Sequence, residues 1–221
     1  MLYTRAHYTS TTDPITGWRK TIYLKKGSVD EMKKSIQENF VAIGFDSIKQ
    51  AYYIKDKKRT LRSNVERRRG TKDAHGQWIA SKYDPTKELD TRCTKYNIEK
   101  HSDILAQIQH QHSVGCLQTL IWIIDLIMQI RNSDDQQNDF ILSCVEDDNG
   151  KKFDSREYYK LTDQEKTNTV PKPTSGDANG AYNIARKGIL MLEKIKQGKK
   201  SLYVSDTEWD DFVQNNHALA G

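Results

Sequence analysis

The chain has 221 residues, with 35 Lys and Arg against 30 Asp and Glu, a formal charge of +5, and only 36% hydrophobic residues. That length suits one ordinary domain or a small domain with an extension, and 11 Tyr, 4 Trp and 5 Phe exclude a disordered composition. Cys93, Cys116 and Cys144 form no C-x-x-C pair and the six His are scattered, which excludes a disulfide framework and a structural zinc site.

In chain order, residues 2–8 alternate loosely and predict a strand. The polar run from Thr9 to Gly17 ends it, with Pro14 fixing φ and Gly17 tolerating a positive one. Residues 18–24 predict a second strand. Ser28 and Glu31 have capping-box spacing, and Val29, Met32, Ile36 and Phe40 follow at near-helical intervals. A helix therefore opens at Ser28, with Gly44 just past its end. Residues 45–54, rich in aromatic and branched side chains, predict a strand. Residues 60–68 predict its antiparallel partner, with Asp56, Lys57 and Lys58 near the turn. Asp84-Pro85 has the form of an N-cap followed by proline at the first helical position, opening a helix to about Tyr96. Ser102-Asp103 opens a short one.

Val114, Leu117, Leu120, Ile121, Ile124, Ile127, Met128 and Ile130 cover more than one face of a long helix, which should be buried. Thr119, Asp125 and Gln129 interrupt it, and its apolar part is shorter than a bilayer span. The N-terminus has no signal-peptide apolar run, so a cytoplasmic protein with no membrane partner is expected. Residues 140–145 predict a strand and residues 160–173 a linker. Asp177 is the expected N-cap of a helix to about Lys196, and residues 208–214 predict a last short helix.

Three clusters carry candidate chemistry. Between Lys55 and Lys72 there are nine Lys or Arg against Asp56 and Glu66, a local excess of seven. On a hairpin Arg67 and Arg69 would point one way and Arg68 the other. Two readings stand: a solvated edge strand whose charges prevent pairing, or phosphate contact by Lys57, Lys58, Arg59, Arg62, Arg67, Arg68 and Arg69. The second cluster is Arg131-Asn132-Ser133, followed by Asp134, Asp135 and Asp139, at the C-terminal end of the apolar helix. Arg131 either satisfies the helix carbonyls or binds a scissile phosphate. The third is Ser175-Gly176-Asp177-Ala178-Asn179-Gly180-Ala181-Tyr182. Asp177 is a natural cap, but a carboxylate beside small residues also suits a Mg²⁺ ligand in phosphoryl transfer. A two-metal site needs several carboxylates, and a lone Asp cannot make one.

The run Asp177-Ala178-Asn179-Gly180-Ala181-Tyr182-Asn183-Ile184-Ala185-Arg186-Lys187-Gly188 closely resembles the third RuvC motif of type V-A CRISPR effectors, which are RNA-guided DNA endonucleases. Thr9-Ser10-Thr11-Thr12-Asp13-Pro14-Ile15-Thr16-Gly17 resembles the segment before that family's Nuc domain. Phe45-Asp46-Ser47-Ile48, Ser63-Asn64-Val65-Glu66-Arg67, Pro85-Thr86-Lys87-Glu88-Leu89, Met128-Gln129-Ile130-Arg131-Asn132-Ser133 and Phe153-Asp154-Ser155-Arg156 resemble stretches of the Nuc domain itself, in the same order. Ser175 departs from the Asp often found two residues before the motif's acid. Arg59 and Arg69 stand near positions where an aromatic is common.

The resemblance implies an α+β fold: a Nuc domain of mixed helices and a small antiparallel sheet, flanked by fragments of an RNase H-like RuvC nuclease. The expected boundaries are 1–17 for the end of a RuvC-like segment, 18–174 for the Nuc domain, and 175–221 for the third-motif helix and tail. It also implies that Asp177 is one of three carboxylates of a two-Mg²⁺ site, incomplete in this chain because the other two would lie upstream. Arg131 would assist cleavage, with Ser133 and Asp139 in support. The implied partners are target DNA, a guide RNA, and upstream RuvC and recognition-lobe segments. The chain alone should then be inactive. A non-catalytic nucleic-acid-binding fragment and a purely structural domain are the rival readings.

Overall fold

A computed structural model describes residues 9–15, 17–57, 59–129, 145–147, 162–166 and 172–217. After a 3-10 turn at Thr9–Thr11, the described elements are α1 (Val29–Asn39), β1 (Ala42–Asp46), β2 (Ala51–Lys55), β3 (Arg59–Arg62), β4 (Arg67–Lys72), β5 (Trp78–Tyr83), α2 (Pro85–Lys95), α3 (Ile104–Gln109), α4 (Val114–Ile127), β6 (Val145–Asp147), α5 (Asp163–Lys166), α6 (Gly176–Lys196) and α7 (Asp206–His217). The class is the expected α+β with small antiparallel sheets.

Helices with local signals start where the sequence places them. In α1, the Ser28 hydroxyl accepts from the Glu31 amide while the Glu31 carboxylate accepts from the Ser28 amide, a complete capping box. In α2, Asp84 accepts from the amides of Thr86 and Lys87, with Pro85 at the first position. Asp103 and Ser113 cap α3 and α4. Two boundaries differ. Phe40 ends α1, and Gly44 lies inside β1, where a Cβ would come within 2.6 Å of the Tyr53 hydroxyl. Ser175, not Asp177, caps α6: its hydroxyl accepts from the Ala178 amide at 3.2 Å.

The strand expectations need more correction. Residues 45–54 form the end of β1, a turn and β2, paired Phe45 with Tyr52 and Ile43 with Ile54. Residues 60–68 divide between two sheets. β3 pairs with β2 on one side and β6 on the other, giving the order β1-β2-β3-β6, whereas among the described residues β4 pairs with β5 alone. Residues 18–24 form no strand beyond an isolated bridge between Thr12 and Arg19. The expected strand at residues 2–8 lies outside the described residues, as does the part of the 140–145 strand before Val145.

The main core lies between the four-stranded sheet and α1–α4. It gathers Met32, Ile36 and Phe40 with Ile43, Tyr52, Ile54 and Leu61, and with a run of apolar residues from α4 that includes Leu117, Leu120, Ile121 and Ile124. Burial of that many aliphatic side chains, at about 1.5–3 kcal/mol each, is the main favourable contribution to this packing. A second, smaller cluster joins Trp209, Phe212 and Val213 of α7 to Leu190 and Val204. Gly17, at φ +70°, permits close packing there, since a Cβ would come within 2.6 Å of Val213 Cγ1. Among the described residues no helix is long and apolar enough to cross a membrane.

Candidate functional site

The start of α6 is docked onto the chain that precedes the main core. Asn179 Nδ2 donates to the carbonyls of Ser10 (3.2 Å) and Thr12 (2.9 Å). Asn183 Nδ2 donates to the Thr9 carbonyl (3.0 Å) and to Asn179 Oδ1 (2.9 Å). One turn further, Arg186 Nη1 donates to the Pro14 carbonyl (3.1 Å), and its guanidinium lies over the rings of Tyr182, Trp209 and Phe212. Positions 179, 183 and 186 repeat at helical spacing, so they form one stripe facing the same peptide segment. Gly180 faces the same segment, and an added Cβ would lie 3.6 Å from the Ser10 Cβ, an ordinary contact distance.

Asp177 is exposed. It precedes Asn179 by two residues, about 200° around the helix, so its carboxylate is directed away from the docked segment. A negative charge in the first turn is also favoured by the helix dipole. Among the described residues no group of three or more His, Cys, Asp or Glu side chains could hold a metal ion. The described residues therefore do not by themselves fit a two-metal site; they offer one accessible carboxylate toward one.

The basic run does not form a single charged face. Arg59, Arg62 and Arg67 are 4%, 7% and 1% exposed. Arg62 makes a bidentate pair with Glu146 of β6, at 2.6 Å from Nε and 3.0 Å from Nη2, and reaches Asp46 at 2.9 Å. Lys49 adds a further contact to Glu146. Burial alone would raise the Glu146 pKa, but the hydrogen bonds from Arg62 and Lys49 outweigh it and hold the carboxyl below the usual range. Arg67 Nη2 donates to the carbonyl of Ile127, the last residue of α4, at 3.1 Å. It performs the helix-end role offered by sequence for Arg131. All three residues are buried, and the heads of Arg62 and Arg67 are bonded within the protein. Lys57 is exposed, and Arg68 and Arg69 are partly exposed. Arg68 lies 3.7 Å from Glu66, and Arg69 Nε donates to Gln129 Oε1 at 3.3 Å.

Lys58, Arg131, Ser133 and Asp139 lie outside the described residues. Two residues not singled out by sequence prove central. Glu146 has no local signal, because its partner is 84 positions away. Gln129 lies inside a Nuc-like motif, next but one to Arg131, yet nothing in the sequence marks its amide. The family model of the NUC nuclease domain matches residues 12–157, well over half of the chain, and ends before Asp177. The chain thus belongs to the NUC family of nuclease domains.

Proposed function

We propose that this chain is the Nuc-bearing portion of an RNA-guided DNA endonuclease of type V-A. A nuclease domain places its activity in nucleic-acid cleavage; guide-directed hydrolysis of DNA phosphodiesters is the finer reading. One observation carries it. The segment around the start of the matched domain, residues 9–17, and the helix after that domain are stitched together by Asn179, Asn183 and Arg186, and they share the small cluster around Trp209 and Val213. A domain inserted into another fold must leave and re-enter that fold at neighbouring points. This arrangement supports 18–174 as the insert, and 1–17 with 175–221 as pieces of a RuvC-like host.

In this reading Asp177 contributes one carboxylate to a Mg²⁺ site completed by acids outside the described residues. Arg131 neutralises a non-bridging phosphate oxygen, with Ser133 and Asp139 beside it in the motif. Water attacks phosphorus and the bridging P–O bond breaks, with strand choice delegated to guide pairing. The exposed Lys57 and the partly exposed Arg68 contact DNA backbone without reading sequence.

The test is guide dependence. The isolated chain, given Mg²⁺ or Mn²⁺ and labelled single-stranded DNA, should be inert. The endonuclease containing it should cleave only DNA matching its guide. Cleavage by the isolated chain that disappears in an Asp177→Ala control would refute the reading.

A further inference from the structure

The β4–β5 ribbon has two unlike faces. Its register sets Arg67 opposite Tyr83, Arg69 opposite Ser81, Arg68 opposite Lys82, Gly70 opposite Ala80 and Lys72 opposite Trp78. Directly opposed residues of an antiparallel pair share a face, and neighbours along a strand alternate. The face carrying Arg67, Arg69 and Tyr83 is fastened to α4 and the residues just after it. Arg67 Nη2 donates to the Ile127 carbonyl at 3.1 Å, and Arg69 Nε donates to Gln129 Oε1 at 3.3 Å. Gln129 Nε2 in turn donates to the Arg68 carbonyl at 3.0 Å, and Tyr83 meets Trp122 of α4 edge to face at 5.1 Å. The opposite face therefore points away from α4. It carries Arg68, partly exposed, with Lys72 and Lys82, both exposed.

That outward face holds its charges in an arrangement that costs stability. Arg68 and Lys82 stand directly opposite one another, and a like-charge cross-strand pair is unfavourable. Glu66, 3.7 Å from Arg68 and 3.6 Å from Lys82, sets one carboxylate against two cations. The two strands themselves contain five Lys or Arg and no acid. At the turn, the Asp73 carboxylate accepts from the amides of His75 and Gln77. Guarding a strand edge against pairing needs a charge on one strand, not two cations opposed across the ribbon. Arg68 and Lys72 are four residues apart, about 13 Å along an extended strand. The cations thus form a row along the ribbon rather than a ring around one point, which fits a linear polyanion and not a single phosphate.

We propose that this outward face, through Arg68, Lys72 and Lys82, binds the phosphodiester backbone of a nucleic-acid strand. The inference deepens the reading of this chain as part of a DNA-cleaving enzyme and rests on it. Lys72 and Lys82 hold the strand and take no part in its hydrolysis. The ribbon divides its cations by face: Arg67 and Arg69 fix where the row stands, and Arg68, Lys72 and Lys82 make the contact.

The experiment uses the 221-residue chain and a labelled DNA oligonucleotide, single-stranded and as a duplex, in chelator. Affinity is followed from about 50 to about 200 mM salt. The variants are Lys72→Ala, Lys82→Ala, both together, Lys82→Arg and Lys34→Ala. Lys34, exposed on α1, controls for net charge alone. Each ribbon alanine should shrink the log–log salt slope by about 0.7 on a single strand or about 0.9 on a duplex, and the pair by about twice that. Lys82→Arg should keep the parent slope. Thermal midpoints should not fall, since Lys82→Ala also relieves a like-charge pair. Loss on one form alone identifies which backbone the face takes, and loss on both assigns it to either. If the parent binds and the ribbon variants keep its slope, the inference alone fails. It fails likewise if Lys34→Ala shrinks the slope as much, or if an oligo-glutamate peptide displaces the DNA as well as unlabelled DNA does. If the parent binds neither form at the lowest salt, the reading of this chain's surface cations as DNA contacts and the inference fail together.

Discussion

The guanidinium of Arg62 and the carboxylate of Glu146 meet through two hydrogen bonds, across 84 positions of chain, at a point where both side chains are buried. Glu146 lies in β6, and the pair fastens that three-residue strand to β3 beside the backbone register Leu61–Val145. A strand so short has few ladder bonds of its own, so the ion pair is what specifies its place.

Breaking this pair from one side should be far worse than removing it. Arg62→Met or Glu146→Gln leaves a buried charge without its main partner, and each should cost about 3–5 kcal/mol. The double variant Arg62→Met/Glu146→Leu should recover most of that loss, because apolar replacement of a whole buried pair is often neutral. Denaturant unfolding of the four proteins checks it; equal losses in the single and double variants would contradict the assignment.

Acid should unfasten the chain at two places. Glu146 is held below its ordinary pKa by Arg62 and Lys49 against the opposing effect of burial. Glu208 is held down to about 2, chiefly by Lys194 and then by the Ser205 amide. For an acid depressed on folding, the stabilisation is complete above the ordinary value of 4.5 and is lost as pH falls through the folded value. Thermal midpoints should therefore drop between about pH 4.5 and pH 2. Glu208→Gln should flatten that fall, and an unchanged slope would contradict the Lys194 pairing.

What was legible in the sequence was local. Ser28 with Glu31, Asp84 with Pro85, and the apolar run of α4 each carry their signal within a few turns, and each of these helices begins as expected. The sheet was less legible, because charge suggested solvent. Arg59, Arg62 and Arg67 are buried, and the partners that allow it for Arg62 and Arg67 are Glu146 and the Ile127 carbonyl, 84 and 60 positions distant. Residues 60–68, expected as one strand, divide between β3 and β4, which belong to different sheets. At the candidate site the motif marked Asp177 and its neighbours. The cap is Ser175, so capping does not compete with a metal-binding role for Asp177.

The surface cations and the buried ones should separate experimentally. Lys57→Ala and Arg68→Ala should each shrink the salt dependence of single-stranded DNA binding, by about 0.7 in the log–log slope per lost phosphate contact. Arg59→Ala and Arg67→Ala should first lower the thermal midpoint, since their side chains are buried. A slope that changes only with the buried pair would reverse the division.

The stitch between the two flanks should be measurable on its own. Asn183→Ala removes the donor to the Thr9 carbonyl, and leaving a buried carbonyl unsatisfied costs about 1–3 kcal/mol. Limited proteolysis should then cut sooner within residues 9–15 than in the parent, while the core around Leu120 stays protected. Unaltered cleavage there would show that the stitch contributes little to holding the flanks together.

The decisive comparison sets Asp177→Ala beside the parent in the full guide-loaded endonuclease, following each DNA strand at single turnover and target binding at the same time. Under the proposed function, cleavage of both strands should be lost, because Asp177 would be a carboxylate of the cleavage site, while binding persists, because guide pairing would supply it. Near-normal cleavage by Asp177→Ala would contradict the metal-ligand role and reduce Asp177 to a first-turn charge on α6.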